Sequence, residues 1–158
     1  YITSRGNWYF ISWKGSKQKS GGIATNIGIH FYDMLIWIFG KVKKIIVHIL
    51  KHNKAAGYLE LERGRVRWFI SVDDSDLPDD IKKSGQRTYR SITVEGKEIE
   101  FSGGFTDLHT ISYENILEGR GYGLEAARTS IGIVYNIRNS EPVGLTGDYH
   151  PIIKSIRK

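Results

Sequence analysis

The chain has 158 residues and a formal net charge of +6, with 40% hydrophobic and 25% charged residues. These values are typical of one globular domain and exclude an intrinsically disordered or fibrous chain. Cysteine is absent, which excludes disulfides and zinc–thiolate sites, and no run of about 18 apolar residues predicts a membrane-crossing helix.

The first part of the chain predicts a short strand region followed by one amphipathic helix. Alternation of aromatic with small or polar residues over 1–13 favours a strand pair, or a strand and a loop. Residues 23–39 follow a helical period, and Gly40 is a typical stop signal. The apolar stripe of this predicted helix consists of Ile23, Ile27, Phe31, Met34, Leu35 and Ile38.

Strands joined by tight turns dominate the middle of the chain. The predicted strands are residues 45–52, 58–62, 65–72, 87–94 and 97–101. Turn signals at Arg63-Gly64 and Glu95-Gly96 join four of them into two hairpins, because such short connections suit antiparallel neighbours and exclude a parallel crossover. The acidic stretch 73–80 predicts a loop.

Helices return in the last third of the chain, on either side of a glycine-rich break at 119–123. Their predicted apolar faces are Leu108, Ile111 and Ile116 in the first helix, and Leu124, Ala127, Ile131 and Val134 in the second. Residues 143–158 predict a mostly irregular basic tail. The order of elements predicts one α+β domain over residues 1–158, a predominantly antiparallel sheet of five or more strands with helices on one face.

Positive charge is concentrated in two runs, 1–20 and 41–54, which contain no acidic residue. Such runs either attract phosphate groups and nucleic acid through their field or merely keep exposed faces solvated. The first run is interleaved with Trp8, Tyr9 and Trp13, a mixture that favours ligand contact. Both interpretations stay open from composition alone.

Three polar residues, Asn26, His30 and Asp33, fall on one side of the predicted helix at positions i, i+4 and i+7. Gly21-Gly22 precedes the helix, whose first N–H groups favour anions. A histidine near a carboxylate suits proton transfer close to neutral pH. The spacing alone fits a solvated polar stripe equally well.

This segment resembles the Gfo/Idh/MocA oxidoreductase family, whose second domain carries a Gly-Gly…Gly-x-His-x-x-Asp helix. Gly22, Gly28, His30 and Asp33 match that motif at the right spacing. The chain is also similar to one branch, the UDP-N-acetylglucosaminuronate 3-dehydrogenases of surface-polysaccharide (lipopolysaccharide) synthesis. The segments that carry this second likeness are Arg5–Tyr9, Ser12–Gly15, Ala24–His30 and a late segment from Tyr113-x-x-Ile116 through Gly121–Arg128 to Ile137-Arg138.

The resemblance implies an NAD- or NADP-dependent dehydrogenase that oxidises the 3-hydroxyl of a UDP-N-acetyl-amino-sugar uronate. It makes His30 the expected acid/base and Asp33 the residue that orients it, beside a lysine from the family's first domain. Thr25 and Asn26 are expected to hold ring hydroxyls, Arg5 and Lys14 the anionic groups. The expected stacking and contact residues are Trp8, Tyr9, Trp13 and Tyr122.

Two departures from the family pattern matter. Asn26 stands where many members have Asp, so we expect it to position a hydroxyl rather than take its proton. The family's NAD-binding Rossmann unit is missing: Gly119-x-Gly121-x-Gly123 has the wrong spacing and joins two helices, so no cofactor-binding residue is predicted. Because the chain also opens at Tyr1 rather than Met, we expect it to be the second domain of a longer enzyme.

The other histidines carry weaker signals. His48 and His52 are separated by about 13 Å on one predicted strand, so we expect both at the surface and predict no metal site. His109 and His150 have no evident ligand partner.

Two alternatives to this enzyme stay open: another sugar dehydrogenase of the family, and a non-catalytic domain that binds polyanions or forms oligomers. The expected partners are a nucleotide sugar and further copies of the chain, associated through the sheet. Nucleic acid and membranes are not expected partners, and the expected location is the cytoplasm.

Overall fold

The computed structural model describes residues 1–104 and 106–157 and shows helices packed against a sheet. The strands are β1 (Ile2–Thr3), β2 (Val42–Leu50), β3 (Lys54–Leu61), β4 (Gly64–Ser71), β5 (Thr88–Tyr89), β6 (Ser91–Val94) and β7 (Lys97–Glu100). The α-helices are α1 (Asn7–Ile11), α2 (Lys17–Ser20), α3 (Ile23–Asn26), α4 (Gly28–Phe39), α5 (Asp79–Lys83), α6 (Leu108–Leu117) and α7 (Leu124–Asn139). Short 3-10 helices span Trp13–Gly15, Asp74–Asp76 and Pro151–Arg157.

The main sheet has five strands in the order β2-β3-β4-β1-β5. Its pairs are antiparallel except β1 with β4, which is parallel. β6 and β7 form a separate hairpin. The predicted α+β class with a predominantly antiparallel sheet is confirmed, and the acidic stretch 73–80, predicted as a loop, contains a 3-10 turn and the start of α5.

One face of the sheet packs against α3, α4 and α7. The core on this side is formed by Ile23, Ile27, Phe31, Tyr32, Leu35, Leu59, Trp68, Ile70, Ile133, Val134 and Ile137. The predicted stripe is therefore correct as far as Leu35, with Met34 partly buried against the core, and wrong at Ile38, which is 39% exposed. In α7 the predicted Leu124, Ala127 and Ile131 lie at the surface. Val134 is buried as predicted, and the buried face also includes Ser130, Ile133 and Ile137.

The opposite face of the sheet is covered by residues 143–157. Ile153 is fully buried there against a cluster that includes Ala56 and Phe69. The Val143 N–H donates to the Val47 carbonyl at 2.9 Å, which fixes the start of this segment on β2. The predicted basic tail is thus part of the core, and the sheet has a covering layer on both faces.

The prediction of strands over residues 1–13 is wrong beyond β1. Residues after Gly6 form short helical turns, which serine side chains cap: Ser12 accepts from the Lys14 N–H and Ser16 from the Lys19 N–H, both at 3.3 Å. These caps satisfy backbone donors locally and favour helix over strand.

α6 contributes no buried residue to the domain. The predicted helix forms, but its predicted apolar face is not buried: Leu108, Ile111 and Ile116 are each about half exposed. In the described ranges, no helix combines the length and the apolar character that a membrane crossing requires.

A buried ion cluster joins the start of β3 to the acidic segment that follows β4. Lys54 is 7% exposed, and its Nζ lies 2.7 Å from Asp76 and 3.4 Å from Asp73. Asp76 also accepts from the Ser71 hydroxyl at 2.5 Å. Hydrogen bonds from Ser75 are the main cause that lowers the pKa of Asp73.

Candidate active site

His30 lies on the first turns of α4, on the face away from the core. Gly28 explains how this helix is held, since a Cβ there would lie 2.8 Å from both Ile70 Cδ1 and the Tyr32 ring. Glycine therefore lets α4 approach the sheet closely. The predicted single helix is interrupted at Ile27, which lies between α3 and α4. The imidazole of His30 is exposed. An exposed imidazole on a rigid helix can exchange a proton with a bound ligand.

Asp33 is tied to α7. Its Oδ1 accepts a hydrogen bond from the Ser130 hydroxyl, across 97 residues of sequence. Among the described residues His30 makes no hydrogen bond with Asp33, so the expected orienting contact is absent in this structure. The orienting role of Asp33 stays a prediction, and Ser130 is a neighbour of the candidate site that the sequence analysis missed. The signal for it was a small polar residue on the buried stripe of a helix.

Thr25 and Asn26 lie in α3, about one helical turn before His30. Both are half-buried. The Thr25 hydroxyl donates to the Gly21 carbonyl at 3.1 Å, which leaves its oxygen lone pairs as acceptors. The amide of Asn26 makes no side-chain hydrogen bond within the described residues. Both positions therefore keep hydrogen-bonding capacity for a ligand.

The aromatic segment places two of its three predicted residues at the surface. Trp8 is 49% exposed and Trp13 57%, and Lys14 Nζ lies 5.7 Å and 5.9 Å from their ring centroids. These cation–π contacts hold an ammonium beside two exposed indoles. Arg5 is also exposed. The arrangement offers flat faces and positive charge together.

Tyr9 is buried, which disagrees with the prediction that it contacts the substrate. It is 1% exposed and packs edge-on against Trp8 and Phe10, at centroid distances of 6.0 Å and 5.5 Å. Burial raises the pKa of its phenol, against an opposing effect of the Arg5 charge. Tyr9 is thus a core residue that supports the exposed indole of Trp8.

Tyr122 stands apart from this group. It lies in the loop between α6 and α7, is 89% exposed, and makes no hydrogen bond or ring contact within the described residues. The structure does not bring it to His30. The glycines around it form a loop between two helices, as the sequence predicts.

His48 corrects a second expectation, since it is buried rather than at the surface. It is 1% exposed, and its Nε2 lies 3.0 Å from the Thr146 carbonyl in the segment that covers the sheet. His52 is exposed, with its ring 5.5 Å from that of Phe10. Within residues 1–104 and 106–157 no three histidine or acidic side chains converge into a possible metal site.

Comparison with known proteins identifies the class of domain. Residues 1–80 match the family model for the C-terminal alpha/beta domain of an oxidoreductase family. The chain belongs to this family, the Gfo/Idh/MocA oxidoreductases.

Two crystal structures of the WlbA (WbpB) dehydrogenase from Thermus thermophilus are similar to this chain. The one in complex with NAD and alpha-ketoglutarate is 49% identical with a TM-score of 0.89, over 95% of this chain and 49% of that one. The one in complex with NAD and UDP-GlcNAcA is 48% identical with a TM-score of 0.88, over 95% of this chain and 48% of that one. This chain therefore spans about half the length of these relatives.

Proposed function

We propose that residues 1–158 form the substrate-binding domain of an NAD(P)-dependent dehydrogenase, which oxidises the 3-hydroxyl of a UDP-N-acetyl-amino-sugar uronate in the cytoplasm. The observation that carries the proposal is the exposed imidazole of His30 on a helix locked against the sheet. The likeness to a dehydrogenase crystallised with NAD and UDP-GlcNAcA supports the substrate class.

His30 is the proton acceptor in this proposal. Oxidation of a secondary alcohol needs a base that takes the hydroxyl proton while hydride leaves the ring carbon. The nicotinamide supplies the hydride acceptor. In this proposal another part of the enzyme holds the cofactor, and the part played by this chain is proton transfer and substrate orientation.

Neighbouring side chains orient the substrate around His30. Thr25 and Asn26 offer acceptors and donors to ring hydroxyls from the preceding helical turn. The hydrogen bond between Asp33 and Ser130 ties α4 to α7 and so limits the movement of the helix that carries the imidazole. A rigid mount of this kind reduces the entropy lost on reaching the reactive geometry.

The exposed indoles are proposed as a platform for the sugar or the base. Trp8 and Trp13 flank the ammonium of Lys14, which can meet a carboxylate as a point charge. Arg5 offers a bidentate partner for the same carboxylate. Together these side chains can bind the carboxylate of a uronate.

The test uses the longer enzyme that contains this chain. His30→Ala is expected to lower turnover about 100-fold to 10,000-fold on a UDP-sugar uronate, with cofactor binding unchanged. His30→Asn is expected to be nearly as poor, because it cannot titrate, whereas Asp33→Asn retains more activity. His109→Ala, at an exposed histidine of α6, is the matched control. Wild-type turnover by His30→Ala from about pH 6 to about pH 9 would refute the assignment.

Association of copies through the sheet is a separate part of the proposal. Residues 143–157 cover the middle of the second face, so contacts there have to involve this segment as well as the strands. Sedimentation velocity of the chain over a range of concentrations measures the association directly, and a monomer throughout would contradict it.

A further inference from the structure

The two basic runs that the sequence keeps free of acids meet in one cavity. Lys17 comes from the first run, Lys51 and His52 from the second, and Arg138 joins them from the last turn of α7. The cavity has a volume of about 150 Å³, and Gly21 and Gly22 complete its wall. Three distant stretches of chain therefore place four basic side chains around one space.

The charges in this cavity are uncompensated within the described residues. None of Lys17, Lys51 or Arg138 forms an ion pair with a described carboxylate, whereas buried Lys54 and exposed Arg128 both do. Repulsion among the cavity cations falls when an anion binds between them. The electrostatics favour an anion of more than one charge.

The shape of the cavity suits a compact anion. Gly21 and Gly22 have φ of 82° and 78°, a left-handed conformation that favours glycine, so this wall is backbone without side chains. A volume of about 150 Å³ corresponds to roughly five waters at about 30 Å³ each. That space accommodates a diphosphate group.

The cavity also lies at a definite distance from His30. Gly22 precedes His30 by eight residues of nearly continuous helix, or about 12 Å at about 1.5 Å per residue. A ligand that extends along α3 can thus place one end in the cavity and the other beside the imidazole. A nucleotide sugar has this extended form, with its diphosphate between ring and nucleoside.

We infer that this cavity binds the diphosphate of the nucleoside diphosphate sugar, with Arg138 as the bidentate partner and Lys17 and Lys51 as point charges. The inference rests on the proposed function and deepens it. A dinucleotide such as NAD carries the same diphosphate, so the test has to separate the two sources.

The test is calorimetric titration of the 158-residue chain with UDP, inorganic pyrophosphate and NAD. UDP and pyrophosphate are expected to bind in a salt-dependent manner. NAD is expected to bind more weakly than UDP, because its diphosphate carries a nucleoside at both ends and less negative charge. Arg138→Gln and Lys51→Gln are each expected to weaken UDP binding about tenfold. Lys97→Gln removes the same charge from the exposed strand β7 and is expected to bind UDP like the wild type. Lys17→Gln, at an exposed side chain, repeats the test if either variant fails to fold.

Three results would overturn the inference: no binding of UDP, equal binding of UDP and NAD, or equal effects of Lys97→Gln and Arg138→Gln. Failure of the proposed function looks different. If UDP binding depends on Arg138 but the longer enzyme does not oxidise a UDP-sugar uronate, the cavity assignment stands and the reaction is wrong. If the enzyme turns over but Arg138→Gln leaves UDP affinity unchanged, the proposed reaction stands and the cavity assignment is wrong.

Discussion

Leu35 and Ile38 test which face of α4 is buried, and with it the position of His30. Leu35 is 0% exposed and Ile38 39% exposed, and truncation of either to alanine removes three carbon atoms. At about 0.8 kcal/mol per buried CH₂, Leu35→Ala loses about 2.4 kcal/mol of transfer free energy. The cavity it leaves raises the loss in unfolding free energy to about 3 to 5 kcal/mol. For Ile38→Ala we expect less than about 1 kcal/mol.

The assay is urea unfolding followed by circular dichroism, with slopes compared to confirm that each variant unfolds in the same way. Helical residues turn by about 100° each, so Leu35 lies about 140° around the axis from His30. Burial of Leu35 therefore implies exposure of the imidazole. Equal losses in the two variants, or a loss below about 1 kcal/mol for Leu35→Ala, would mean that the face is wrongly assigned and that His30 does not face a ligand.

Three further predictions address the ion cluster, pH and the cofactor. Lys54→Met should lower the unfolding free energy in urea by about 3 kcal/mol, because it leaves the carboxylate of Asp76 without its ammonium partner. Adding Asp76→Asn should recover part of this loss, and no recovery would contradict the pairing. Burial lowers the pKa of His150 from 6.5 to about 4. The unfolded chain then binds a proton at higher pH than the folded one, so stability falls as pH drops from 6.5 towards 4. In pH-dependent melting, His150→Gln should flatten this fall and the exposed His109→Gln should not. Fluorescence titration of the chain with NADH should show no saturable micromolar binding, because loop 119–123 joins two helices; saturation would contradict that interpretation.

The hairpin of β6 and β7 and the end of α4 were predictable from turn chemistry alone. The turn between β3 and β4 lies at Glu62-Arg63, one residue before the predicted Arg63-Gly64. Glu95 and Gly96 have φ of 51° and 80°, the paired positive values that a two-residue hairpin turn requires. Gly40 ends α4 with φ of 84°. Such requirements are local, so the residue type at the turn reveals them.

The segment before α3 was not predictable from alternation. Trp8, Tyr9 and Phe10 are consecutive aromatic residues, and only the middle one is buried. Alternation of residue types did not distinguish a strand from short helical turns there. The decisive signal was the pair of capping serines, Ser12 and Ser16, which stabilise helical turns by local hydrogen bonds.

The candidate site was predictable only where its residues share one helix. Asn26, His30 and Asp33 were found from spacing and resemblance because α3 and α4 place them on one rod. The bond between Asp33 and Ser130 joins residues 97 apart, and the cavity at Arg138 joins three segments. Contacts of this range depend on packing, which one sequence does not encode locally.

The segment 143–157 has a consequence for how the chain is made. Synthesis runs from the amino end, so all five strands of the main sheet leave the ribosome before this segment does. Until then the face that carries Ala56 and Phe69 lacks the cover that Ile153 provides. Such transient apolar surface favours aggregation, and contacts between distant parts of the chain form slowly. A stop codon before residue 143 should therefore turn a well-behaved domain into one that depends on chaperones during translation.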